Sequence, residues 1–183
     1  MRGLLALLML LWPVTVVAAT PQPFQRGSWS NLLDAHRGRA TIVHFWGLTC
    51  GPCVVELPEW GRFAGRRGDT DLVMVDADPT TIAPEDLATV LEKAGLGRVE
   101  SWRFADNFTE RLEYEIDPEW HGELPYTVLL GRDGSAKTIV GAVDFAQLAK
   151  WLDGQLVRSL DAPRWAAAQM APPLSRLFDG GTR

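Results

Sequence analysis

Residues His44 to Trp60 read HFWGLTCGPCVVELPEW. The stretch holds both cysteines of the chain, Cys50 and Cys53, two residues apart, and a helical pattern interrupted by Pro58 follows them. Such a pair admits three readings: a disulfide staple, half of a metal site, or a reactive dithiol. Its flanks locate it. ATIVHFWG, Ala40 to Gly47, is a short apolar run rich in β-branched and aromatic residues, which predicts a buried strand. After Cys50, the apolar positions Val54, Val55, Leu57, Trp60 and Phe63 predict a helix that starts near Cys50 and is kinked at Pro58. The dithiol therefore sits where a strand leaves a sheet and a helix begins.

Working outward, SWSNLLDAHRG predicts a short helix with a serine at its N-cap and Gly38 as a stop. DLVMVDADP carries a second strand, Leu72 to Asp76, and APEDLATVLEKAGLG a helix with Pro84 in its first turn and Gly95 as its stop. RVESWRF alternates like a third strand, and DNFTERLEYEI reads as helical. LPYTVLLGRDGSAKTIVG is a hairpin, with strands over Tyr126 to Leu130 and Ala136 to Val140 and the turn at Arg132, Asp133 and Gly134. The amphipathic DFAQLAKWLDGQLVRSL closes the domain as a helix.

At 183 residues, 46% hydrophobic and 22% charged, the chain fits one ordinary core, with residues 20–160 as the domain and 161–183 as a tail. Trp165, Leu177 and Phe178 of that tail are expected to pack on the domain. The net charge of −5 offers no basic footprint for a nucleic-acid backbone, which argues against that class of partner. Residues 1–19, MRGLLALLMLLWPVTVVAA, have one arginine, an apolar stretch and a small-residue end at Ala19, which predicts a signal peptide; an uncleaved anchor is the alternative.

Export would place the cysteines in an oxidising compartment, where disulfides persist. A staple across two residues removes little chain entropy, so that reading is weak. At a helix start, Cys50 faces unsatisfied backbone N–H groups and the positive end of the helix dipole, which favour its thiolate. Cys53 lies one turn inward. Cys50 is thus the expected nucleophile and Cys53 the residue that resolves the mixed disulfide. Gly51 and Pro52 let the chain turn tightly into the helix. A zinc site would need two further ligands, and the imidazoles of His36, His44 and His121 show no paired spacing. A copper set of Cys50, Cys53 and His121 stays open as a minor alternative.

Taken together, VHFWGLTCGPC, the following VVELPEW and the distant GELPYTVLLGRDG resemble the thioredoxin superfamily, and within it the exported TlpA/ResA-type thiol-disulfide oxidoreductases. The resemblance runs from about Trp29 to Leu156. It implies a thioredoxin-like α/β fold with a central mixed sheet of four or five strands and helices on both faces. The segment between Pro84 and Asp117 would be the extra α and β elements of that subgroup. It also implies a cis peptide bond before Pro125 beside the dithiol, with the Leu124 backbone pairing an extended substrate. Trp46 would pack beneath the site, though on this strand it could be ordinary core, and Trp46, Gly51, Pro52 and Leu124 would line the substrate side.

Two acid-base positions follow from the same comparison. Glu56 matches the glutamate of CxxCxxExP, which lies near the buried sulfur and could shift thiol pKa values or move protons. His44 departs from the pattern, standing where thioredoxins carry a buried Asp and the subgroup often an Asn. It could accept the Cys53 proton near neutral pH, or be a neutral core histidine satisfied by hydrogen bonds.

The activity implied is reduction of disulfides in specific client proteins, of the cytochrome c maturation or copper-site kind. No cofactor beyond the Cys50–Cys53 pair is expected, since the chain has no nicotinamide or flavin motif such as GxGxxG. Electrons would come from a membrane dithiol donor of the DsbD or CcdA kind. Disulfide oxidation or isomerisation and Cu(I)-dependent metal-site assembly are the alternatives. No dimerising arm is visible, so a monomer is expected.

Overall fold

A computed structural model describes residues 20–78 and 83–161, with side chains to residue 156. The expected signal segment 1–19 and the tail beyond residue 161 lie outside the described residues. In chain order the elements are β1 (Gln22–Phe24), α1 (Ser28–Ala35), β2 (Thr41–Trp46), α2 (Gly51–Arg66), β3 (Asp71–Asp76), α3 (Pro84–Lys93), β4 (Glu100–Phe104), α4 (Thr109–Ile116), β5 (Tyr126–Leu130), β6 (Ala136–Val140) and α5 (Phe145–Asp161). No helix among the described residues is long and apolar enough to cross a membrane.

The sheet has six strands in the order β1-β4-β3-β2-β5-β6. The four strands β1, β4, β3 and β2 run parallel, and the β5–β6 hairpin joins β2 antiparallel. Six strands correct the expected four or five. The extra one, β1, is three residues long and contains Pro23, too short to show a period in the sequence. It is held by Phe24, which is fully buried against Phe45, Trp102 and Phe104. A second correction concerns α1. Its N-cap is Gly27, at φ 83°, and not a serine; the Ser28 hydroxyl instead accepts the Gln25 N–H.

β2 is buried along its whole length because it is flanked by β3 and β5 and covered on both faces. Its period of two divides the core. Ile42 and Trp46 point to the layer formed by Leu57, Trp60 and Phe63 of α2, Leu87 and Leu91 of α3, and Leu148 and Leu152 of α5. Val43 and Phe45 point to the other layer, with Trp29 and Leu32 of α1 and Leu112 and Ile116 of α4. Burying each of the larger apolar side chains contributes about 1.5–3 kcal/mol, so the α2 face alone anchors the helix firmly. By the same alternation His44 falls on the α2 side. α2 runs through Pro58, and its Gly61 packs against the end of α3, where a Cβ would overlap the Ala94 carbonyl oxygen.

Candidate active site

The site forms where β2 and β3 end and α2 begins, the edge of an α/β sheet at which ligands are usually met. Cys50 is the N-cap of α2, with an extended backbone, and its sulfur accepts the Cys53 N–H at 3.3 Å. The turn before it is closed by Cys50 N–H donating to the Gly47 carbonyl at 3.2 Å. Pro52 occupies the first turn of α2, where its missing N–H costs nothing. Cys50 and Cys53 form a disulfide, with an S–S distance of 2.09 Å and Cα atoms 5.3 Å apart. Cys53 is fully buried, whereas Cys50 is partly exposed and Gly51 and Pro52 are exposed.

Below the disulfide lies a buried polar group that links three elements. His44 is fully buried on β2, and its Nδ1 lies 2.9 Å from the Thr127 hydroxyl on β5, the residue directly opposite in the strand register. Its Nε2 lies 3.1 Å from Glu56 Oε1 on α2. That approach is off the ring N–H direction, so neither atom has an aligned hydrogen-bond partner and the contact is chiefly electrostatic. The other Glu56 oxygen accepts the Val143 N–H at 3.2 Å, from the segment that leads into α5. The Trp60 ring covers His44 with centroids 4.6 Å apart.

This packing sets the charges. Burial is the largest influence on His44 and pulls its pKa below the usual 6.5, against the opposing pull of Glu56, so the imidazole is neutral at pH 7. For Glu56 burial is again the largest influence and pushes upward. Contact with His44, aided by the ring's charge where it is protonated at low pH, together with the Val143 N–H and Trp60, outweighs it and leaves the carboxyl below the ordinary range. The carboxylate on the Nε2 side favours the tautomer protonated there, in which Nδ1 accepts from the Thr127 hydroxyl.

The other sequence-derived residues divide clearly. Leu124 is half-buried and Pro125 buried, the peptide bond between them is cis, and Leu124 packs on the same cluster as Cys50 and Cys53. Trp46 corrects an expectation: it is fully buried, so it supports the site from within the core and cannot line the substrate side. The copper set is not assembled either. His121 is exposed, with its N–H on Glu123, and among the described residues no group of three His, Cys, Asp or Glu side chains is placed to hold a metal ion.

Two residues were missed by the sequence reading. Thr127 lies inside an apolar strand and gains meaning only from its register with His44. Asp78 lies just beyond β3, is 6% exposed, and accepts the Thr49 N–H at 2.7 Å, one residue before Cys50. Its one visible signal is an acid two residues past a strand whose end borders the dithiol.

The strand order, the helix-capping disulfide and the cis-proline hairpin together define a thioredoxin-like fold. Solved structures agree. A secreted Mycobacterium tuberculosis disulfide oxidoreductase homologous to Escherichia coli DsbE is 17% identical, with 68% of this chain and 85% of that chain covered and a TM-score of 0.51. Mycobacterium tuberculosis DsbF, determined in mixed oxidised and reduced forms, is 16% identical over 67% of this chain and 84% of its own, at a TM-score of 0.53. A thioredoxin-related protein from Neisseria meningitidis serogroup B is 23% identical over 68% of this chain and 90% of its own, at 0.52. No family model and no curated protein sequence matches the chain.

Proposed function

We propose that the protein is a thiol-disulfide oxidoreductase that reduces disulfides in specific client proteins. The observation that carries this reading is the asymmetry of the pair: Cys50 caps α2 at the surface while its disulfide partner Cys53 is fully buried. In the reduced protein, the Cys50 thiolate attacks one sulfur of a client disulfide, forming a Cys50–client disulfide and releasing one client thiolate. The Cys53 thiolate then attacks the Cys50 sulfur, restoring the Cys50–Cys53 disulfide and releasing the second client thiolate. Two electrons pass to the client, and an external dithiol returns them.

In this reading Glu56, one turn further along α2 and turned inward, sets the charge near Cys53: its ionised carboxylate opposes a thiolate at the buried sulfur, and its lowered pKa makes it a weak proton acceptor. The Leu124 backbone pairs an extended client segment beside the disulfide. The Gly-Pro pair inside the dithiol is that of thioredoxin, which favours the reducing direction. The N-terminal pattern of residues 1–19 and the secreted neighbour favour export to a periplasm-like compartment. There a membrane dithiol donor of the DsbD or CcdA kind would supply electrons, clients of the cytochrome c maturation or copper-site kind would accept them, and the protein would act as a monomer.

The test is catalysis of insulin disulfide reduction by dithiothreitol. The wild type is expected to accelerate it and Cys50→Ser to abolish the acceleration; no acceleration by the folded wild type overturns the reading.

A further inference from the structure

We propose that Asp78 is a positioning residue for the nucleophile, fixing the turn that presents Cys50 and placing a negative charge beside it; this rests on the dithiol reading of the site. Beyond the end of β3 the chain passes beneath the Gly47–Cys50 turn. Ala77 N–H donates to the Trp46 carbonyl at 2.8 Å, and Asp78 N–H donates to Asp76 Oδ1 at 3.2 Å. Asp78 Oδ2 then accepts the Thr49 N–H at 2.7 Å, the length of a charge-assisted bond. Thr49 precedes Cys50, so the carboxylate holds the backbone from which the nucleophile projects.

Gly47 makes this approach possible. A Cβ there would lie 3.0 Å from both Cβ and Oδ2 of Asp78, closer than such contacts are normally found. Asp78 is 6% exposed, so its charge is poorly screened by water. Asp76 lies close to that charge: burial foremost raises the Asp76 carboxyl to about 6, with the Asp78 carboxylate adding to it, while the Asp78 N–H and the nearby Arg103 pull the other way.

Two influences of opposite sign therefore bear on Cys50, one from the start of α2 and one from the carboxylate held on the preceding residue. The start of α2 favours the thiolate, and the Asp78 carboxylate opposes it. A charge that disfavours the thiolate destabilises the reduced form and makes the couple more reducing. None of this requires Asp78 to touch a client.

The experiment measures the equilibrium constant of the Cys50–Cys53 couple against glutathione at pH 7 in the full protein, with thermal unfolding as the check of folding. In Asp78→Asn the amide oxygen can still accept the Thr49 N–H, so the turn is kept and the charge removed. The expected result is a shift of at least tenfold toward the dithiol, about 30 mV for a two-electron couple. A folded Asp78→Asn protein with the wild-type constant overturns the proposal. Should that variant fail to fold, Gly47→Ala decides, because its methyl group would press within 3.0 Å of the Asp78 carboxylate and displace it from its present position against Thr49. Disulfide exchange slowed at least tenfold supports the clamp, and an unchanged rate refutes it. A folded wild type that does not equilibrate with glutathione at all would instead sink the dithiol reading, and this proposal with it.

Discussion

Replacing His44 by Leu is expected to lower stability by about 3 kcal/mol at pH 7. The magnitude follows from what remains behind. Glu56 is only 8% exposed, and its Oε1 faces His44 Nε2 at 3.1 Å. Leaving a buried carboxylate oxygen without the polar group that faces it costs about 1–3 kcal/mol, and the Thr127 hydroxyl loses its partner as well, about 1 kcal/mol more. Leucine fills much of the space, so the cavity contribution is small. For a chain of this length the loss corresponds to a fall in melting temperature of roughly 6–12 °C.

The pH dependence is the sharper test. The Glu56 carboxyl lies below its unfolded value, so its stabilisation is present above about pH 4.3 and lost as pH falls through its folded pKa. His44 lies below its unfolded value of about 6.5, so below that pH the unfolded state takes the proton first and the wild type loses stability. The variant lacks the histidine limb, and its Glu56, with burial no longer opposed by His44, is pushed upward. Both effects narrow the gap between the two proteins from pH 7 to pH 4. Urea unfolding of the oxidised proteins across that range measures it. A gap below about 1 kcal/mol at pH 7, or one that does not narrow on acidification, refutes the buried-pair argument.

Three further results are expected. Asp76, raised to about 6 in the folded state, binds a proton more readily than in the unfolded chain, so its cost to stability grows as pH rises from about 4 through 6. Asp76→Asn should therefore stabilise the protein by about 2 kcal/mol at pH 7 and give no gain at pH 4 in the same urea assay. Gly61→Ala should destabilise by about 3 kcal/mol, read as a lowered melting temperature, because the new methyl group meets the Ala94 backbone where α2 crosses α3. Cys53→Ser should accumulate a stable adduct of Cys50 with oxidised glutathione by mass spectrometry, whereas in the reduced wild type Cys53 resolves that adduct.

Local patterns made much of the fold legible. The apolar run ending at Gly47, the helix after Cys50, the Pro84 and Gly95 boundaries of α3 and the Arg132–Gly134 turn each follow from residues close together in sequence. What escaped depends on tertiary register. β1 exists because three residues find an open edge of β4, and only Phe24 among them is buried. The polar group beneath the disulfide joins His44 to Thr127 across 83 positions and Val143 to Glu56 across 87. His44 stood out in the sequence as an odd residue at an informative position, yet its neighbours follow only from strand pairing and helix packing. Trp46 shows the opposite limit: a residue of the right type beside the site proves, by the alternation of β2, to be core.

The measurement that bears most directly on the central claim is the reduction potential of the Cys50–Cys53 couple, equilibrated against glutathione or dithiothreitol buffers and read by thiol alkylation. The account requires a reversible two-electron couple at or below the thioredoxin value of about −270 mV. A value close to the DsbA figure of about −120 mV would contradict it and make the protein a donor of disulfides.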